Sequence, residues 1–286
     1  MSRTPLLTAA AAIAASLLLA SCAVSTEPAS PEIEPIAAPH WSYDEHGGED
    51  GWADLAAAFG TCAVGVEQSP IDLPASVPEP TEVVELEAEI TTATEADPGH
   101  APQIGVVDDA SVIRYDGSEY ELLQMHAHTP AEHTVAGVAP AAELHLVHSG
   151  DDGELLVLGV LATLGEENPA LQPFLDTATG DDGATVQLDI ASILPASLQH
   201  WSYEGSLTTP PCSESVHWLV LSTPISISAE QIATLTDVHE HNARSTQPLG
   251  DRCPRPGPDR RAVHQHKNDV HGLTVPETAR RYQCGA

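Results

Sequence analysis

Five of the chain's fifteen histidines fall between Gln124 and His148. His126 and His128 stand two apart, with Ala127 between them. On a β-strand, side chains two apart point to the same face, so both imidazoles can reach one metal ion without bending the backbone. Ala142 to Val147 alternates in the same way: Glu143 and His145 share one face, Leu144 and Leu146 the other. Gly137 and Pro140 lie between these stretches and suit a turn. If the stretches pair antiparallel, His145 becomes a third nitrogen ligand. Three protein ligands with one open position is the coordination of catalytic zinc, whereas structural zinc is closed by four. His148 lies on the opposite strand face from His145 and is excluded from the site.

The residues belong to Gln-Met-His-Ala-His (124–128), Ala-Glu-His-Thr-Val (131–135) and Ala-Glu-Leu-His-Leu-Val-His (142–148). Together these resemble the core signature of the α-class carbonic anhydrases, here of a bacterial, exported kind. The resemblance implies reversible hydration of carbon dioxide to bicarbonate and a proton, with Zn2+ held by His126, His128 and His145. Zinc-bound water in carbonic anhydrases has a pKa of about 7, a property established for that family, so hydroxide is available at neutral pH. The resemblance also implies acceptors for the outward N–H groups of the ligands: Gln124 for His126, Glu143 for His145, and the backbone carbonyl of Asn242 for His128. Spacing argues independently for the first two, because each stands two residues before its ligand on the same strand face. His133 is implied to be a structural histidine near Glu143 and Tyr203, and Tyr43 a member of the surrounding hydrogen-bond network.

Ser206-Leu207-Thr208-Thr209-Pro210-Pro211 resembles the family's gatekeeper loop. Thr208 then accepts a hydrogen bond from the attacking hydroxide and donates its own to Glu132, since a hydroxyl does both and an ionised carboxylate only accepts. Thr209 helps to position bicarbonate. Val147, Val157, Leu207 and Trp218 match the positions that line the carbon dioxide pocket. Pro98-Gly99-His100-Ala101 resembles the Asn-Gly-His segment that carries a proton-shuttling histidine, with Pro98 as a departure from the usual Asn. His100 is the expected shuttle, because an imidazole titrates near the working pH. Gln103 fits a polar position that orders the water chain. His40-Trp41-Ser42-Tyr43 and Gln68-Ser69-Pro70-Ile71 complete a match over about residues 40–252.

The elements that must position these groups are short strands. Val83–Leu86, Ile104–Val107, Val112–Tyr115, Glu119–His128, Leu144–Val147 and Val216–Ser222 read as strands. Glu154–Leu164 is almost wholly apolar and suits a buried central strand, with Gly159 where another group comes close. Pro70 leads into an edge strand. Ile190–Leu194 and Trp201–Leu207 lead to the threonine loop. Helical spacing is confined to 52–59, 168–177 and 229–242, the last starting after Ser228 as N-cap. Many short strands, few helices and Pro-rich connections give a mostly β (α+β) single domain. By resemblance it is a large, mainly antiparallel central sheet flanked by short helices, with zinc at the base of a conical cleft.

The formal charge of −32 excludes nucleic acid as a partner. It is unevenly spread: residues 1–251 hold three basic residues against 39 acidic ones, giving −36, while 252–286 hold seven against three, giving +4. The apolar run from Leu6 to Leu19, ending in Leu-Ala-Ser-Cys, reads as a lipoprotein-type signal peptide over 1–21 with Cys22 lipidated. That makes the protein exported, lipid-anchored at the outer face of the cell membrane or in the periplasm, and otherwise secreted. Cys22 is its only tie to the membrane. Residues 22–39 are a flexible Pro-rich tether, 40–252 the domain, and 253–286 a basic tail with His264, His266 and His271. The four remaining cysteines allow three pairings in an oxidising compartment; the resemblance favours Cys62 with Cys212, leaving Cys253 with Cys284. The competing function is a non-catalytic, carbonic-anhydrase-like zinc-binding surface protein. A zinc hydrolase of another class lacks its signature, since the chain has no His-Glu-X-X-His.

Overall fold

The computed structural model describes residues 39–43, 48–77, 84–88, 90–180, 185–252 and 254–257. The expected leader, Cys22, the tether as far as residue 38, the pair Cys253 and Cys284, and the tail histidines lie outside them. The described strands are β1 (Asp72–Leu73), β2 (Val84–Ala88), β3 (Ile90–Glu95), β4 (Gln103–Val106), β5 (Ser111–Tyr115), β6 (Ser118–His128), β7 (Thr134–Val135), β8 (Ala142–Gly150), β9 (Leu155–Leu164), β10 (Thr185–Asp189), β11 (His200–Ser206), β12 (Glu214–Ile227) and β13 (Arg255–Gly257). Short helices accompany them: α1 (Trp52–Leu55), α2 (Thr61–Val64), α3 (Gln172–Ala178), α4 (Ile190–Ile193) and α5 (Ala229–Val238). Among the described residues no helix is long and apolar enough to cross a membrane.

Eleven strands form one sheet in the order β10-β3-β4-β6-β8-β9-β12-β11-β13, with β5 and β2 branching from β6. The branch exists because β6 is long. Its first residues pair with β5 and its last with β4, so one strand serves two neighbours along one edge. Within this sheet β9 and β12 run parallel, and the other described pairings are antiparallel. The sheet is thus mixed but mainly antiparallel. A two-stranded parallel sheet pairs β1 with β7, and the Gln68–Ile71 segment just before β1 is bonded to the threonine loop through Gln68 and Ser69.

Period-2 patterning separates the sheet's two faces. Leu144 and Leu146 of β8, Leu156, Leu158 and Val160 of β9, and Leu219 and Leu221 of β12 join one apolar core with Phe174 and Leu175 of α3 and Leu235 of α5. The alternate residues Val147, Val157, Val220 and Trp218 build a second, smaller core on the opposite face with Trp201 and Tyr203. The same face of β6 and β8 carries His126, His128, Glu143 and His145. Gly159 lies opposite His145 on β9. A Cβ there would stand 2.9 Å from Glu143 Oε1 and 3.3 Å from Val220, so a side chain would displace the carboxylate.

The helices depart from the expected bounds. The 52–59 segment is α1 followed by a 3-10 turn at Ala57–Phe59, and 168–177 starts as a 3-10 turn before α3. Ile190–Leu194 contains α4, capped by Asp189, whose carboxylate accepts the Ser192 N–H. Ser228 and Gln231 form a reciprocal capping box at the start of α5. That helix ends at Val238 rather than Asn242. Thr234 and Thr236 bond back to the carbonyls of Glu230 and Ile232, a pattern that weakens helices. His239 is extended and His241 has a φ of 54°, which turns Asn242 inward.

Candidate active site

Antiparallel pairing sets His126 of β6 directly opposite His145 of β8 and His128 opposite Glu143. The three imidazoles of His126, His128 and His145 therefore meet, with ring centroids 4.6 to 5.0 Å apart. Facing nitrogens of the three lie within 4.8 Å of one another. His145 Nδ1 is 3.2 Å from His126 Nε2.

The outward nitrogens are committed elsewhere, which fixes the inward ones. His126 Nδ1 donates to Gln124 Oε1 at 2.8 Å, and His128 Nδ1 to the carbonyl of Asn242 at 2.5 Å. His145 Nε2 lies 3.0 Å from Glu143 Oε1, close but poorly aligned. Glu143 is anchored further by His133 Nδ1 at 2.7 Å and by the backbone N–H groups of Glu132 and His133. His133 Nε2 sits 2.7 Å from the Tyr203 hydroxyl, which donates to Ser69 Oγ. The convergence of His133, Glu143 and His145 is thus a hydrogen-bonded support, with the carboxylate as common acceptor.

Burial pushes all three inward-facing imidazoles below their ordinary range, His128 to about 4. They are neutral at pH 7, each with a lone pair to offer. Burial likewise lifts Glu132 to about 7, against the downward pull of His145 and the Arg244 N–H. Burial also opposes ionisation of Glu143, but His133 and His145 hold its carboxyl well below the usual range. Besides His145 Nε2, two buried polar atoms here stand without a hydrogen-bond partner: His128 Nε2 and Glu132 Oε2, 3.6 Å apart. Three neutral nitrogen donors, an unsatisfied lone pair and a carboxylate behind them fit a divalent cation with nitrogen preference, zinc above all.

A cavity of about 410 Å³ opens onto these histidines. Its lining includes Trp41, Tyr43, His100, Gln103 and Gln124 together with Val147, Val157, Leu207, Thr208, Thr209 and Trp218. All of these but Trp41 are site residues expected from the sequence. Tyr43 has its hydroxyl buried, which raises its pKa well above the ordinary value. The His100 ring stacks on Trp41 at 3.7 Å and meets His40 edge-on at 5.8 Å.

The threonine loop is tied down from several sides. Leu207 N–H donates to the Ser213 carbonyl, and Cys212 N–H to Thr209. Trp218 Nε1 donates to the Ser206 carbonyl. Ser69 and Ser206 exchange hydrogen bonds through backbone N–H and hydroxyl groups. A disulfide joins Cys212 to Cys62 across 150 residues, the pairing that the family resemblance implied. Thr208 is buried and its side chain offers Glu132 a hydrogen bond, although Glu132 Oε2 has no partner at full hydrogen-bond geometry.

Three residues contribute roles that the sequence reading does not assign. Arg244 N–H donates to Glu132 Oε1 at 2.9 Å, while its guanidinium holds Gln68 Oε1 and the Ser69 carbonyl. Its signal was its rarity: it is one of three basic residues in the first 251. Ser69 links Tyr203 to the threonine loop, and Trp41 supports His100; both stand in motifs that resemble the family's, but nothing in those motifs gives these roles.

Residues 47–263 match the family described as eukaryotic-type carbonic anhydrase. A carbonic anhydrase of Nostoc sp. is 36% identical over 227 residues, covering 74% of this chain and 84% of its own length. One from Klebsiella pneumoniae is 35% identical over 226 residues, covering 76% and 91%. Among solved structures, the α-carbonic anhydrase of Thermovibrio ammonificans in complex with the inhibitor sulfanilamide aligns with a TM-score of 0.68 at 33% identity, covering 76% of this chain and 98% of that one.

Proposed function

The chain belongs to the eukaryotic-type carbonic anhydrase family, and from that premise we propose how its own residues carry the reaction. It is a zinc-dependent enzyme that interconverts carbon dioxide with bicarbonate and a proton. The observation that carries this reading is the convergence of three neutral imidazoles, each with its outer nitrogen facing an acceptor of its own. Zinc, when bound, supplies a water acidic enough to act as nucleophile near neutral pH.

In this scheme His126 and His128 ligate through Nε2 and His145 through Nδ1, at the base of a conical cleft. Gln124, Asn242 and Glu143 fix the three rings, and His133, Tyr203 and Tyr43 complete the supporting network. Thr208 accepts a hydrogen bond from the attacking oxygen and donates its own to Glu132. Arg244 N–H holds Glu132 Oε1, which leaves Oε2 for Thr208. A cation at the histidines favours the ionised form of that carboxyl, the form that only accepts. Val147, Val157, Leu207 and Trp218 give carbon dioxide an apolar wall, and Thr209 holds the departing bicarbonate. His100 takes the product proton to bulk buffer, with Gln103 ordering the waters between. Burial draws its pKa down, opposed by Asp97, so the ring is a neutral acceptor at pH 7. Export with lipid attached at Cys22 is the location we assign, from the leader motif alone.

Stopped-flow hydration of carbon dioxide tests the reading. Fast turnover lost to a chelator and restored by zinc is expected. A folded, zinc-loaded protein without hydration activity would make this a zinc-binding surface protein instead.

A further inference from the structure

The turn that carries His100 is fastened by a pair of residues the reaction scheme leaves idle. Asp97 Oδ1 accepts the Gly99 N–H at 2.7 Å. Asp97 Oδ2 lies 2.6 Å from His239 Nε2, so with a carboxylate as acceptor that nitrogen carries the proton. The Asp97 N–H donates to Glu95 Oε1 at 2.6 Å. Gly99 has a φ of +86°, a conformation that glycine adopts without strain. Asp97 is thus a two-sided clamp. One oxygen closes its own turn, and the other holds the C-cap residue of α5, 142 positions away in sequence.

What lies beyond His239 gives the clamp its meaning. Three residues on, Asn242 presents its carbonyl to His128 Nδ1. The Asn242 side chain also accepts the Thr129 N–H and donates to the Ala127 carbonyl, both at 2.8 Å. The short segment 239–242 therefore grips the His100 turn with one end and β6, with its histidine, at the other. The other contacts of the His100 ring, with Trp41 and His40, are ring faces and edges. Such contacts restrict tilt but set no fixed distance from the metal-site histidines. The Asp97–His239 pair, whose side chains are each only 20% exposed, does set one.

We propose that His239 is a positioning residue for proton relay: paired with Asp97, it latches the His100 turn to the segment that orients His128. This rests on the reading of His100 as the relay. The latch matters here because Pro98, beside His100, has neither a polar side chain nor a backbone N–H with which to tie the turn down.

The test uses the full-length, zinc-loaded enzyme. Carbon dioxide hydration is followed in a bulky buffer that transfers protons poorly, and again with imidazole added. The variants are His239→Leu, His239→Gln, His100→Ala and the His100→Ala/His239→Leu double. His239→Leu is expected to lower kcat by about tenfold, as a displaced relay should. Its kcat/KM and zinc content should hold, and imidazole should restore kcat. His239→Gln keeps a donor for Asp97 and should retain most of the turnover. The double variant should match His100→Ala alone. Unchanged kcat in His239→Leu beside a slow His100→Ala overturns the latch and leaves the relay standing. Loss of kcat/KM or of zinc in His239→Leu also overturns it, by showing an effect on the metal site through Asn242. An added loss in the double variant shows His239 acting independently of His100. Full turnover in His100→Ala removes the relay itself, and the latch with it.

Discussion

His145 and His148 stand three residues apart on β8, both buried, both imidazoles, and they have opposite fates. His145 points into the cavity face, where one nitrogen meets two other imidazoles and the other meets Glu143. His148 points to the other side, where Nδ1 donates to the Leu146 carbonyl at 2.9 Å. Its neighbours in sequence and register, Leu146 and Leu156, belong to the large apolar core. Burial depresses both pKa values, His148 to about 4. One neutral imidazole is an available ligand and the other a satisfied piece of core. Residue type and burial do not separate them; strand parity and the partner of the second nitrogen do.

Substitutions on the two faces should therefore fail in different ways. The largest effect belongs to His145→Ala, which removes one of three ligands. Stoichiometric zinc and hydration activity should both be lost while the apo fold melts cooperatively. Leu146→Ala, one residue away, empties core space on the other face and should cost about 2–5 kcal/mol of stability. Zinc content at moderate temperature should stay near one per chain, as metal analysis beside denaturant unfolding would show. An equal loss of zinc in both variants would break the two-face account.

His148 sharpens the comparison through pH. Its folded pKa lies below the unfolded value, so the unfolded chain takes up the proton first as pH falls. The stability it contributes is complete above about pH 6.5 and drains away down to about pH 4, a total of about 3 kcal/mol. Unfolding free energies of the parent and of His148→Gln across that range should differ in slope by close to one proton. Parallel curves would mean that the His148 environment does not resist protonation. The smallest effect is expected at the support level. Gln124→Ala removes the acceptor for His126 Nδ1 and should weaken zinc about 10–100-fold without changing the melting of the apo protein.

What could be read in advance follows from range. His126, His128, Glu143 and His145 were legible because a period of two is a local property and one antiparallel pairing brings them together. Gly159 was legible as a close approach, though Glu143 as its neighbour needed the register of β8 on β9. The end of α5 was not legible: side-chain bonds of two threonines and an inward turn at Asn242 overrode the helical spacing. Asp97 and His239 were invisible as a pair, since nothing local in either segment refers to the other. Arg244 stood out only by charge, and its backbone N–H, the group that reaches Glu132, leaves no trace in sequence.

The parallel pairing of β9 with β12 sets an order of assembly. β6 and β8 are close in sequence and can meet as soon as a short loop closes, which brings the three histidines together early. β12 must wait for some fifty intervening residues to fold back before it can lie beside β9, and distant pairings of this kind form slowly. The threonine loop directly precedes β12, and Asn242 follows it. A refolding chain should therefore capture its metal before it can turn over substrate, and the interval between those two events would time the closure of the sheet.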